Sequence, residues 1–170
     1  RRVGDLSQVV LGIYGALPFT PEQAPNRNIG YMKASKALVY VDSPARITNY
    51  KTLENAQKLR ESFLGGGWSK VIILGWNFST DIGQHIDRIR KVDERIEVLV
   101  IPPDLLDRLK SKAGYETLKD KVKFSSLQYL TIKPIKVEKQ KESDVLEVEV
   151  QNYLLLSPEA LPLDKEEDRE

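Results

Sequence analysis

The chain has 170 residues, 41% hydrophobic and 30% charged, which is the composition of a folded domain and a length that suits one core. It has no cysteine and a single histidine, His85, which excludes disulfides, thiolate-bound zinc, iron–sulfur clusters, a thiol nucleophile and any site built on two histidines. Net charge is only +1, but residues 1–141 carry 24 Lys and Arg against 15 Asp and Glu, whereas residues 142–170 carry 2 against 10. A basic body with an acidic end admits a polyanion partner, or simply a solvated surface with a frayed tail.

In chain order, "DLSQVVLGIYGAL" (5–17) opens on an N-capping Asp and places Leu6, Val9, Val10, Ile13 and Leu17 at helical spacing. "PFTPEQAPNRNIG" follows, a loop of about a dozen residues set by its prolines, Asn and Gly. A loop of that length predicts a joint, and the first helix is expected to pack on a part of a longer protein. The absence of an initial methionine points the same way. From Ala37 the pattern alternates. "ALVYV", "SKVIILGW" and "RIEVLVI" are near-continuous apolar strands, and between them "TLENAQKLRESFL" and "STDIGQHIDRIRKV" have apolar residues on one helical face. This order predicts an α/β fold, a three-layer, Rossmann-like and mostly parallel sheet joined by right-handed crossovers.

Further on, "PPDLLDRLKSKAG" predicts a helix that begins after Pro103 and stops at Gly114, and "YETLKDKV" predicts another. Ile135 and Val137 alternate with Lys136 and Glu138, and Leu146, Val148 and Val150 alternate with Glu147 and Glu149. That period of two predicts a C-terminal antiparallel β-hairpin with one wet face, with Pro134 at an edge or bulge. The terminal "DKEEDRE" reads as a disordered acidic tail. No apolar run approaches the roughly 20 residues that cross a bilayer, and no signal peptide is visible. With no cysteine, the expected setting is the cytoplasm and no membrane.

Chemistry concentrates at strand ends. Asp42 closes the first parallel strand, Trp76 and Asn77 the second, and Asp104 follows the third, so the four are expected near one rim. The C-terminal ends of parallel strands are where α/β proteins bind ligands. There an indole beside an amide can stack on and hydrogen-bond a base, and two carboxylates can share a divalent metal. Each residue also has a plainer role: Asp42 in "DSP" shapes a turn, and Trp76 covers the end of the sheet. Ser79 or Thr80 with Asp81 makes an N-cap for the second helix of the alternation. "GGGW" (65–68) follows a helix and precedes a strand, so it is a helix stop and not a phosphate loop. No GxGxxG is present, the match to a PD-(D/E)xK nuclease is poor, and His85 sits mid-helix beside Asp81 and Arg88 with no partner for catalysis.

Taken as whole segments, "DLSQVVLGIYGALPFTPEQAPNRNIGY", "LVYVDSPARITNYKTLENAQKLRE", "GGGWSKVIILGWNF" and "IEVLVIPPDLLDRLK…FSSLQYLTIKPI" resemble the region outside the catalytic motifs of site-specific adenine DNA methyltransferases. The likeness is to the DNA N-4/N-6 methylase type, as in type III modification subunits. It implies a parent enzyme that moves a methyl group from S-adenosylmethionine to adenine N6 on a flipped-out base. The family's Asp-Pro-Pro-Tyr tetrapeptide and Phe-x-Gly-x-Gly turn are absent, and "IPPDLL" has the prolines in the wrong order. No catalytic, cofactor or metal residue carries over, and this chain is expected to bind no cofactor. The expectation is therefore an accessory domain that contacts DNA, a restriction subunit or a second copy. Residues 1–36 would join it to the missing catalytic part, 37–158 would form the domain and 159–170 the tail. Arg88, Arg90, Lys91, Arg108, Lys110 and Lys112 are the expected phosphate contacts. The alternative is an independent metal-dependent nuclease or nucleotide-binding domain that uses Asp42 and Asp104.

Overall fold

The computed structural model describes residues 3–110, 118–119, 121–139 and 143–154. The helix predicted from "YETLKDKV", the helix stop predicted at Gly114, Lys112 and the terminal tail lie wholly or largely outside them. The chain divides into two units, Arg1–Ser126 and Leu127–Glu170.

The first unit is an α/β layer structure. Its elements are α1 (Val3–Tyr14), β1 (Leu17–Pro18), β2 (Ile29–Met32), β3 (Ala37–Val41), α2 (Tyr50–Ser62), β4 (Lys70–Gly75), α3 (Ile82–Arg90), β5 (Ile96–Val100), α4 (Leu105–Lys110) and β6 (Ser125–Ser126). One six-stranded sheet runs β1-β2-β3-β4-β5-β6. The β3–β4 and β4–β5 pairs are parallel, and β1–β2, β2–β3 and β5–β6 are antiparallel. The α/β class is as expected, but the sheet is larger and more mixed than the apolar runs implied.

Register explains why the central strands read as unbroken apolar runs. Val39 pairs with Ile72 and Leu74 with Leu99, and these side chains enter one core with α1 and with Leu105 of α4. The intervening Leu38, Val71, Ile73 and Val98 are also buried, on the face covered by α2 and α3. Both faces are thus dry, and each fully buried Leu, Ile or Val contributes about 1.5–3 kcal/mol.

The first helix packs on this sheet. Val10, Leu11, Ile13 and Ala16 share the core with Val39, Val41, Ile72 and Leu74, so α1 is part of the sheet unit. The proline-rich stretch is likewise tied down by β1 and β2, which flank it and pair with each other. Gly30 allows this approach: a Cβ there would lie 2.7 Å from the Leu17 carbonyl and 3.0 Å from Leu11.

Helix α2 begins on a capping box. Asn49 accepts from the Thr52 N–H, and Thr52 Oγ1 accepts from the Asn49 N–H, each at 3.3 Å. Its predicted apolar face buries Leu53 and Ala56, but the next buried residue is Arg60, whose guanidinium meets Asp93 at 2.7 Å. Helix α3 buries Ile82, Ile86 and Ile89 as their spacing predicts. The Gly65–Gly67 run ends α2 as expected: all three glycines have positive φ, and a Cβ on Gly66 would strike the Glu61 carbonyl at 2.2 Å.

The second unit holds β7 (Tyr129–Ile132), β8 (Lys136–Lys139), β9 (Asp144–Glu147) and β10 (Val150–Leu154). The predicted hairpin is β8–β9, with Val137 opposite Leu146, but both of its faces are exposed rather than one, since Val137, Val145 and Leu146 find no cover among the described residues. Strands β7 and β10 pair antiparallel outside it, with a register break between Val150 and Asn152, and Pro134 falls in the gap between β7 and β8.

Candidate functional site

The loop after β3 is built around Asp42, which is only 3% exposed. Its Oδ2 accepts from Thr48 Oγ1 and its Oδ1 from the Ser43 N–H, both at 2.8 Å. Thr48 is completely buried and pairs with Phe78 in an isolated parallel bridge. The Thr48 N–H donates to the Asn77 carbonyl at 2.8 Å, the Ser79 N–H donates to the Thr48 carbonyl at 3.0 Å, and Asn77 Nδ2 donates to the Pro44 carbonyl at 3.1 Å. The loops that follow β3 and β4 are therefore laced together, and Asp42 and Asn77 are two of the ties. Gly75 makes room for them: a Cβ there would fall 2.6 Å from the Phe78 ring and 2.8 Å from Thr48 Oγ1.

The other rim residues are also engaged. Trp76 packs half-buried against the core beneath α1, although its Nε1 finds no hydrogen-bond partner. Asp104 is exposed and is held by Arg108 of α4, with Nε at 2.7 Å and Nη2 at 2.6 Å. Among the described residues no group of three or more His, Asp or Glu side chains could hold a metal ion. Asp81 occupies the cap position of α3 but makes no capping bond with its side chain. It instead meets His85 Nε2 at 3.0 Å, and the polar side chains of Ser79 and then His85 hold its carboxyl below the usual range. The His85 ring lies on Tyr50 at 4.8 Å.

The expected cations fall in two places. Arg88, Arg90 and Lys91 sit at the end of α3, a helix that contacts α2. Arg108 and Lys110 sit on α4, whose Leu105 enters the opposite core, and Lys110 pairs with Asp107 at 3.0 Å. Surface pairs of this kind contribute little stability, but they leave less charge for a ligand.

A cleft opens on the other side of β3, toward β2, with a volume of about 780 Å³. Tyr40 and Asp42 come from β3 and its end, Arg46 from the loop, Asn55 and Lys58 from α2, and Asn28 from the start of β2. Of the rim named from sequence, Asp42 alone lines it. The Tyr40 hydroxyl is pushed up in pKa, first by burial and then by the Asp42 carboxylate, with Arg46 pulling the other way. Nothing in the sequence set Arg46 or Lys58 apart from other solvated cations.

No helix among the described residues is long and apolar enough to cross a membrane. Comparison with known proteins finds no matching family model, no matching curated protein and no matching solved structure.

Proposed function

We propose that the chain is a non-catalytic accessory domain of a cytoplasmic, site-specific adenine DNA methyltransferase, contributing DNA or subunit contacts while the methyl transfer from S-adenosylmethionine takes place elsewhere in the parent enzyme. The family part of this reading is supported by the segments quoted from the sequence. The non-catalytic part is carried by the state of Asp42: both of its oxygens accept hydrogen bonds within the fold, from Thr48 and from the Ser43 backbone. A carboxylate committed in this way, beside an Asp104 held by Arg108, weighs against a metal-dependent nuclease that uses the pair. The basic end of α3 supports phosphate contact, with Arg88, Arg90 and Lys91 as its residues. A restriction subunit or a second copy of the chain remains a partner of the same proposal. Calorimetry with S-adenosylmethionine tests the division of labour. The chain should give no binding heat, and saturable binding would place a cofactor site here and overturn the reading.

A further inference from the structure

We propose that the cleft between β2, β3 and α2 binds a nucleotide unit, with Arg46 and Lys58 taking its phosphate. The two cations reach the cleft from separate elements, the loop after β3 and the middle of α2, and neither makes an ion pair among the described residues. By contrast Arg27, Arg60, Lys70, Arg95, Arg108 and Lys110 each pair with a carboxylate. Against them the lining holds one carboxylate, Asp42, whose oxygens are taken by Thr48 and the Ser43 N–H, so two unpaired cations leave the cleft net positive and select an anion, and Arg presents a fork that matches phosphate oxygens.

The size of the cleft says that the anion belongs to something larger. Its volume of about 780 Å³ is far more than a bare phosphate fills. It also lies within the ~300–1,000 Å³ of small-molecule sites in general. The remaining wall is rich in amides: Asn26, Asn28 and Asn55 line it, and the side chains of Asn26 and Asn55 have no hydrogen-bond partner among the described residues. Amides offer donor and acceptor together, which is what the edge of a base requires, and Tyr40 supplies an aromatic surface in the same cleft. The cleft sits at the C-terminal end of a parallel strand, where this class of fold collects ligands. A lipid would need an apolar wall, and here Ile29, Val41 and Leu59 are the aliphatic share of the lining.

The proposal stands apart from the accessory-domain reading, because its residues are not those of α3. The nucleotide unit has two possible sources, a free nucleotide or one step of a DNA strand, and the test separates them. The isotopically labelled chain is titrated with AMP, GMP, CMP and UMP, with inorganic phosphate, and with a six-nucleotide single strand of mixed sequence, and amide shifts are followed by NMR. At least one mononucleotide or the strand should shift amides in 26–29, 42–46 and 55–62. Arg46→Gln and Lys58→Gln should each weaken that binding by about tenfold or more. Lys33→Gln, an exposed cation outside the cleft lining, should leave it unchanged. Both cations of the cleft are exposed, so the variants keep the fold, and the unshifted remainder of the spectrum verifies it. Tighter binding of the strand than of any mononucleotide assigns the unit to DNA, and the reverse assigns it to a free nucleotide. The proposal is overturned if neither class shifts these amides at millimolar concentration. It is also overturned if inorganic phosphate binds as well as the nucleotides, or if binding survives both Gln substitutions.

Discussion

Removing the Asp42 carboxylate tests whether that residue holds the fold or waits for a ligand. In Asp42→Ala the Thr48 hydroxyl, completely buried, loses the acceptor that lies 2.8 Å away. An unsatisfied buried donor costs about 1–3 kcal/mol. The Ser43 N–H loses its acceptor too, but it is only half-buried and can take a water, so the total should be about 3 kcal/mol. Thr48→Val keeps the shape and strips one hydrogen bond from a charged group, which costs about 1.5–3 kcal/mol. Once Asp42 is gone the hydroxyl has nothing to donate to, so the double variant should cost well under the sum of the two singles. Urea unfolding followed by tryptophan fluorescence measures this cleanly: the chain has two tryptophans, Trp68 and Trp76, and both lie in the Arg1–Ser126 unit. A loss below about 0.5 kcal/mol for Asp42→Ala, or costs that add within about 0.5 kcal/mol, would refute the structural role and return Asp42 to the ligand rim.

Other consequences follow from the same packing. Arg60 is 5% exposed and salt-bridged to Asp93, so Arg60→Ala should destabilise the sheet unit by about 3–5 kcal/mol in the same urea assay, and a surface-like change of a few tenths would contradict the buried pair. Hydrogen bonding to Arg95, above all, holds the Asp93 carboxyl below its ordinary value. Its stabilisation is therefore complete above the unfolded carboxyl pKa near pH 4 and is lost as pH falls through the lower folded value. Asp93→Asn should accordingly flatten the acid side of the stability–pH curve, and an unchanged acid limb would count against the assignment. Gly75→Ala drives a Cβ to within 2.6 Å of the Phe78 ring and should cost about 1–3 kcal/mol or more, read as a lowered Tm. A neutral Gly75→Ala would mean that the two strand-end loops are not laced as described.

How much of this was legible in the sequence depends on the range of the interaction involved. "ALVYV", "SKVIILGW" and "RIEVLVI" read as parallel strands because both faces of β3, β4 and β5 are buried, which removes the alternation of a half-wet strand. Ile82, Ile86 and Ile89 read as a helix face for an equally local reason. Strands β1 and β2 were hidden: two and four residues long, they flank a proline-rich stretch and exist only by pairing across it. The seat of α1 was hidden in the same way, since its partners Val39 and Leu74 lie far along the chain. Nothing in "TLENAQKLRESFL" sets Arg60 apart as a buried residue, because its partner, Asp93, is 33 positions away. At the rim, strand-end logic puts Asp42 directly after β3, which is where the strand ends. It did not foresee that Thr48 and Ser43 would occupy the carboxylate, or that the cleft would open toward the antiparallel β2 and draw on Arg46 and Lys58.

The proposed DNA contact is tested most directly by duplex binding measured as fluorescence anisotropy over a series of salt concentrations. If Arg88, Arg90 and Lys91 each neutralise one phosphate, the logarithm of affinity should fall with the logarithm of salt at a slope of at least about −2.7 in magnitude. Replacing all three with Gln should flatten that slope by roughly the same amount. Binding that ignores salt, or no binding at low salt, would contradict the account.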